Sequence, residues 1–410
     1  MAARRHGVLL SLAALCALFL LGCDAIPDER EEPFAYDFGE PIRYERGRHA
    51  IVFFVDGVNH RTFNRLMDEG RLPNIKRYFV DHGVTVEHAV TCVPSVTYSV
   101  MTAFLTGLGP GHNGVPALEW VDRNDRTYRW YTGIEEKYTV NDDAAAPTLF
   151  EVLDDQFTVS ILNQLTRGVT QYIENWHTVG PAYFFRLTGL MDRLSIIRFE
   201  EVNRLARLRR QYPRFIVTHL AGGDALGHWE GSTGEAYIDN IVHADAQIGR
   251  LLANMENEGV LENLVIVLVS DHGHSPTDRV RPIRLIDTLH RLTGAAVTGR
   301  IDTFQQSAFQ RAELFEPWEM IVSHSGDRQA FVYVRDLNED GSPRPWRDRP
   351  PFERLVNYPT PDGAEVDLPQ ALAHMDGVDI VAARLRPGTV LVYGREGIGR
   401  IDRRGKRGSY

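Results

Sequence analysis

The chain has 410 residues, 43% of them hydrophobic and 24% charged, with a formal net charge of −10. That composition excludes a disordered or fibrous chain and supplies apolar material for a large core, as one big α/β domain or two smaller ones. No broad basic footprint is present, so a nucleic-acid polymer is not expected as a partner; the three cysteines, Cys16, Cys23 and Cys92, exclude a disulfide framework.

Arg4 and Arg5 precede Val8–Leu21, an apolar run of 14 residues. This is the length of the apolar part of a secretory signal and is short for a bilayer span. The run ends in Leu20-Leu21-Gly22-Cys23, which resembles a bacterial lipobox. The resemblance implies a lipoprotein signal peptide over 1–22, a lipidated Cys23 and an extracytoplasmic domain anchored to a bacterial membrane. An ordinary secretory signal or a short anchor that contains a cysteine is the alternative. Pro27, Pro33, Pro41 and many acidic side chains make residues 23–47 a flexible tether.

The apolar run His49–Val55 predicts a buried strand, and it ends in Asp56-Gly57. A helix is expected over Asn59–Glu69, stopped by Gly70 and Pro73, then a helical turn from Leu72 and a short strand over Val84–Val90. Val100, Met101, Phe104 and Leu105 share a helical face, and Gly107 sits where such helices end, which makes Thr97 the expected N-cap. A capping threonine can be only that; a hydroxyl at a helix N-terminus also sits in an anion site.

Asp122–Thr148 reads as a polar, irregular surface insertion, Phe157–Leu162 as a strand and Glu200–Tyr212 as a basic helix. The strand Arg214–Leu220 leads into Gly222-Gly-Asp224-Ala-Leu-Gly-His228. Ser232-Thr-Gly-Glu235 has the pattern of a capping box. In the helix that follows, Asp245 falls on the apolar stripe and is expected to bond to backbone. Val265–Val269 predicts a strand buried on both faces, ending in Ser270-Asp271-His272-Gly273. Mixed helix and loop follow to Met320, then Ile321–Gly326 with His324, a strand at Ala330–Val334, and a late pair of strands near Val378–Ala383 and Thr389–Tyr393. The basic end from Arg400 to Arg407 reads as a solvated tail.

Three apolar strands thus end in acids, two of them with a histidine. In open α/β sheets ligands bind at the carboxyl ends of the strands. Carboxylate with imidazole suits zinc or manganese.

This order resembles the alkaline phosphatase superfamily, most closely its type I phosphodiesterase/nucleotide pyrophosphatase branch. The motifs that carry the likeness are the strand ending in Asp56-Gly57, Pro94-x-x-Thr97 with Thr106-Gly107 nine residues after Thr97, Asp224-x-x-Gly-His228, and Ser270-Asp271-His272-Gly273. The resemblance implies a mostly parallel central sheet with helices on both faces, spanning 48–410 with insertions near 120–150 and 275–325. It implies two divalent ions, zinc or manganese, and a threonine nucleophile, Thr97, acting on a small phosphate ester through a phospho-threonine intermediate. Asp56, Thr97, Asp271 and His272 are then expected to hold one ion. Asp224 and His228 hold the other with a later histidine, His324 by its place before a strand or His274 as competitor.

Two departures stand out. His324 lacks the family's Gly-x-His-Gly setting, and no asparagine follows Thr97 in its helix. Cys92-Val-Pro94-Ser95 looks like the start of a sulfatase motif, but Val96 replaces its arginine, and Cys92 stands 14 residues before Thr106 rather than nine. A phosphomonoesterase of the same superfamily and a non-catalytic surface lipoprotein remain the alternatives.

Overall fold

The computed structural model describes residues 49–403 apart from 134, 175, 210, 278–280 and 327. Residues 1–22 and 23–47, expected as signal peptide and tether, lie outside the described residues with Cys23. Among the described residues no helix is long and apolar enough to cross a membrane.

A five-stranded, all-parallel sheet forms the centre. In chain order, β1 is His49–Val55, and β2 (Glu119–Asp122) and β3 (Thr127–Trp130) form a separate hairpin. The sheet continues with β4 (Thr158–Ile161), β5 (Gln171–Ile173), β6 (Phe215–Leu220) and β7 (Leu264–Val269). The spatial order is β5-β4-β6-β1-β7, with Phe54 of β1 level with His219 of β6 and Val269 of β7. Because the strands are parallel, β6, β1 and β7 deliver their carboxyl ends side by side.

The central place of β1 explains its unbroken apolar run, since both faces are covered. Helix α1 (His60–Asp68) follows it. Val52 and Phe54 pack on one side with Met101 and Leu105 of helix α2 (Thr97–Thr106). Phe53 points the other way, stacking on Phe199 at 5.8 Å between ring centroids. Phe199 belongs to helix α4 (Thr188–Arg209), which follows α3 (Trp176–Phe184). Burying each phenylalanine of β1 contributes roughly 2–3 kcal/mol.

Helices α5 (Gly222–Glu230) and α6 (Glu235–Asn257) come after β6. Asp245 on α6 is buried as expected: its carboxylate accepts from the backbone N–H of Ile75 at 2.7 Å and of Asn74 at 3.3 Å.

Several local expectations give way to tertiary context. Strand β7 is an edge strand, half-buried, with Val265 50% exposed. Val84–Val90 forms no strand; Val84 and Val90 are more than nine-tenths exposed, because no neighbouring strand takes up their backbone. The Asp122–Thr148 stretch is not irregular. It carries the β2–β3 hairpin and short helices, and buries Tyr128, Tyr131 and Val140. Ser232 makes no capping box. Gly234 is the N-cap of α6, and Ser232 Oγ instead accepts from Asn59 Nδ2 at 2.9 Å.

Beyond β7, residues 285–334 build a small sheet of Val297–Thr298, Met320–His324 and Ala330–Val334. Ile321 and Phe315 there pack with Val121 and Tyr128 of the hairpin, so the two insertions share one core. The late module has three antiparallel strands rather than two, Ile380–Arg386, Thr389–Gly394 and Gly397–Asp402. Arg400, expected in a tail, lies in the third and pairs with Asp402 at 2.8 Å.

Candidate active site

Asp56 is the first residue past β1 and only 4% exposed. Gly57 follows with φ +63°, and a Cβ there would come within 2.6 Å of Asp224 Oδ1. Glycine therefore lets the β1 turn and the first turn of α5 meet. Asp271, past β7, is fully buried. Its Oδ1 accepts from the N–H groups of Gly57 at 3.1 Å and His272 at 2.9 Å. The three strand ends are thereby tied into one cluster.

Thr97 corrects the capping expectation. Val96 is the N-cap of α2 and Thr97 is its first residue, with no side-chain cap bond at that end. The hydroxyl is spared for the cluster, with Oγ1 3.5 Å from Asp56 Oδ1 and 3.4 Å from His272 Nε2. His272 Nδ1 lies 2.9 Å from the Gly273 carbonyl, which fixes that nitrogen as the donor and leaves Nε2 facing the acids. Nε2 is 3.5 Å from both Asp56 Oδ1 and Asp271 Oδ2.

On α5, Asp224 and His228 are one turn apart, with Asp224 Oδ2 3.4 Å from His228 Nε2. Asp224 Oδ1 is 3.4 Å from His274 Nε2. Two groups can hold a metal ion, Asp56–Asp224–His272 and Asp224–His228–His274, each with its ligand atoms within 4.8 Å of one another. Asp224 belongs to both.

The structure thus brings His274, not His324, to Asp224 and His228. His324 ends its strand exposed and stands in neither group. Its stretch still borders the site: a Cβ on Gly326 would come 3.2 Å from Val96, the residue before Thr97. Cys92 joins neither group. Asn113, the asparagine nearest after α2, is consumed locally, donating to the Leu108 carbonyl and accepting from Val115 N–H.

The electrostatics favour a cation. Asp271 Oδ2 is buried without a hydrogen-bond partner, a costly condition unless something positive approaches. Burial and the charges of Asp271 and Asp224 push the Asp56 carboxyl well above its ordinary range. Burial also pushes Asp224 up, but hydrogen bonds to His228 and His274 and the nearby imidazoles outweigh it and hold it below the ordinary range. Burial lowers His272, yet Asp271, Asp56 and Asp224 together raise it. Three carboxylates and three imidazoles, with a buried oxygen unspent, match the oxygen and nitrogen donors that zinc or manganese takes.

The surrounding ring was not legible in the chain. His219 of β6 reaches Asp56 Oδ2 at 2.9 Å. Ser270 Oγ accepts from Val58 N–H, and Tyr237 donates to the Gly57 carbonyl at 2.7 Å. The one available signal was a histidine inside a strand that is apolar but for Thr218.

Asp192 of α4 accepts from Gly222 N–H and Asn240 Nδ2, both at 2.9 Å, and so fixes the start of α5. Burial raises its pKa from 3.8 to about 6, against the pull of those bonds. The folded state therefore binds this proton more tightly than the unfolded chain. The associated stability is full below the unfolded value and is lost as pH rises through about 6, about 3 kcal/mol in all. Asp192→Asn is expected to remove that slope, since the unpartnered Oδ1 of Asn240 can turn to accept from the new amide. Urea unfolding in chelator should show the wild type losing ground to the variant between about pH 4 and pH 7; a constant difference would refute the assignment.

Acids and imidazoles thus gather at the carboxyl edge of a parallel sheet, with a threonine hydroxyl among them. The family model of type I phosphodiesterase/nucleotide pyrophosphatase matches residues 50–394, and the chain belongs to that family, whose members typically depend on divalent metals.

Among curated proteins, the chain is 26% identical over 127 residues to alkaline phosphatase PhoD of Zymomonas mobilis, covering 31% of this chain and 22% of that one. It is 23% identical over 245 residues to bis(5'-adenosyl)-triphosphatase ENPP4 of Pongo abelii, covering 57% and 48%. The chain thus spans less than half the length of these relatives. Among solved structures, murine ectonucleotide pyrophosphatase/phosphodiesterase 5 with AMP aligns with a TM-score of 0.45 at 15% identity, covering 59% of this chain and 61% of that one. Phosphonoacetate hydrolase from Sinorhizobium meliloti 1021 with phosphonoformate aligns with 0.43 at 18% identity, covering 61% and 63%.

Proposed function

We propose that the protein is a two-metal phosphodiesterase of the nucleotide pyrophosphatase type, with Thr97 as nucleophile. The observation that carries this is the position of Thr97 Oγ1, within 3.5 Å of both Asp56 Oδ1 and His272 Nε2, at the first residue of a helix. Asp56, Thr97, Asp271 and His272 would hold one ion. Asp224 and His228 would hold the other, with His274 as the third donor and His324 as the alternative. Two such ions neutralise phosphoryl charge and make hydroxyl and water better nucleophiles at neutral pH.

Thr97 Oγ1 attacks phosphorus as its proton is lost, the bond to one alcohol breaks and that alcohol leaves protonated; the phospho-threonine so formed still carries the second ester substituent. Water then attacks the same phosphorus, the bond to Oγ1 breaks, the threonine regains a proton, and a phosphate monoester leaves. The N-terminus of α2 presents backbone N–H groups and a positive dipole end to the phosphoryl oxygens.

Next to the second group stands a platform that favours a diester. Trp229 follows His228 directly, and Tyr183 packs on it with ring centroids 5.1 Å apart. Arg186 lies 5.1 Å over the Trp229 ring. Burial and then the Asp224 charge raise the Tyr183 phenol. A second ester substituent has a surface to meet there, whereas a monoester has none to offer. With added zinc or manganese, bis-p-nitrophenyl phosphate should be cleaved at least about tenfold more efficiently than p-nitrophenyl phosphate, and chelator should abolish both. A preference for the monoester would overturn the diester reading.

The resemblance of Leu20-Leu21-Gly22-Cys23 to a lipobox supports a lipidated Cys23 that holds this chemistry outside the cytoplasm, with small phosphate esters as the partners. Cys23→Ser is expected to release the protein from the membrane fraction. Membrane retention with an unchanged N-terminal mass would refute the anchor.

A further inference from the structure

Asp56 uses its two oxygens differently. Oδ1 faces Thr97 Oγ1 and His272 Nε2, each at 3.5 Å, while Oδ2 lies 2.9 Å from His219 Nε2. His219 is itself held from several sides. It is 5% exposed on β6, one strand over from β1. The backbone of Leu162 hydrogen-bonds its ring, and Phe54 meets that ring edge-on with centroids 6.2 Å apart. Ser195 donates to the His219 carbonyl at 3.0 Å. Leu162 closes β4 with φ +59°, a left-handed conformation uncommon for leucine, and its N–H bonds the Ile173 carbonyl at 3.2 Å. Such backbone persists where the surroundings over-determine it.

We propose that His219 is a positioning residue for Asp56, clamped between Leu162 and Oδ2 so that Oδ1 stays turned to Thr97 and the metal-binding group. The inference rests on the metal-site reading above. A clamp is needed because the Asp56 carboxylate stands among Asp224 and Asp271, and its terminal torsion is broad. Left free, it would turn away from two like charges. A hydrogen bond shared between Nε2 and the far oxygen removes that freedom and satisfies an oxygen that would otherwise be buried alone. Outer partners of this kind orient ligand side chains, and their loss costs about 10–100-fold in metal affinity.

The test compares His219→Gln, His219→Asn and His219→Leu in the purified protein. Glutamine brings an amide nitrogen near the place of Nε2, and asparagine near that of Nδ1. Zinc affinity is measured by competition with a chromogenic chelator, alongside kcat and KM for an aryl phosphodiester. Glutamine should stay within about tenfold of the wild-type zinc affinity, while asparagine and leucine should lose about 10–100-fold. Their kcat should fall with KM little changed. If the leucine variant fails to fold, the two amide variants decide, provided they melt alike in chelator. Wild-type zinc affinity in the folded asparagine variant overturns the proposal. A wild type that binds zinc but cleaves no ester refutes the proposed function, and the zinc comparison still judges His219.

Discussion

Replacing Thr97 by alanine or asparagine is expected to lower turnover of an aryl phosphodiester by roughly three or more powers of ten, as when a covalent step is removed. Neither change should unfold the protein. Thr97 is the first residue of α2, Val96 is the N-cap, and the hydroxyl makes no capping bond. The stability cost of about 1 kcal/mol that follows loss of a cap is therefore not expected. Thr97→Ser keeps the hydroxyl and should keep substantial activity, though serine lacks the methyl group that restricts the rotamer. In the wild type, rapid acid quenching during turnover should trap the aryl phosphoryl group on the peptide that contains residue 97. A folded, metal-loaded asparagine variant with wild-type turnover would reduce Thr97 to a helix-start residue, and the mechanism would fail.

The second large effect concerns Asp271, for which Asp271→Asn should act in opposite directions with and without metal. Asp271 is fully buried, and its Oδ1 accepts from Gly57 and His272 N–H. An asparagine oxygen can keep both bonds. The other oxygen has no partner, and the Asp271 charge is one cause of the raised Asp56 carboxyl. Substitution removes a buried charge from a repelling cluster and leaves an amide that can donate to it. In chelator the variant should be more stable than wild type by about 1–3 kcal/mol, a higher melting temperature by a few degrees. With zinc the order should reverse, because the wild type gains ligand-binding free energy and the variant loses most of its site. Activity should fall with the metal. Calorimetry in chelator and in zinc checks both arms, and a variant less stable than wild type in chelator would show that the acidic cluster is not strained.

Sites that trade stability for chemistry are where local sequence rules bend. Ser232 illustrates how. Its spacing to Glu235 is that of a capping box, yet its hydroxyl serves Asn59, 173 positions away in the chain. The same bond to Asn59 sits where α1 begins, and Ser232 also accepts there from Thr62 through its carbonyl at 3.0 Å. A long-range partner that also secures the approach to Asp56 outweighs a local cap worth a few tenths to 1 kcal/mol.

By itself the sequence determined the strands that carry the site and the residues at their ends. A strand buried on both faces reads as a nearly continuous apolar run, so β1 announces itself, β6 does so despite Thr218 and His219, and a polar residue at their end needs a reason. Asp56 and Asp224 were legible for that cause, Asp271 and His272 because β7 is an equally apolar run although it lies half-buried at the sheet edge, and His228 by its helical spacing from Asp224. The interval from Thr97 to Thr106-Gly107 was legible through its helix and the αL glycine that ends it. Only the tertiary structure decided what these residues meet. His219 was hidden because its partner lies on the neighbouring strand, and strand register is not written in either strand alone. The choice of His274 over His324 beside Asp224 and His228 depended on how the turn after β7 folds back over α5, where Gly227 leaves room; a Cβ there would come within 2.6 Å of the His274 ring. Val84–Val90 has the alternation of a strand but no neighbour to pair with, and Asp122–Thr148 looks polar yet buries Tyr128 against the second insertion and Tyr131 in the main core. Periodicity reports which face of an element is apolar; the partner that covers it comes from far along the chain, and packing makes that choice.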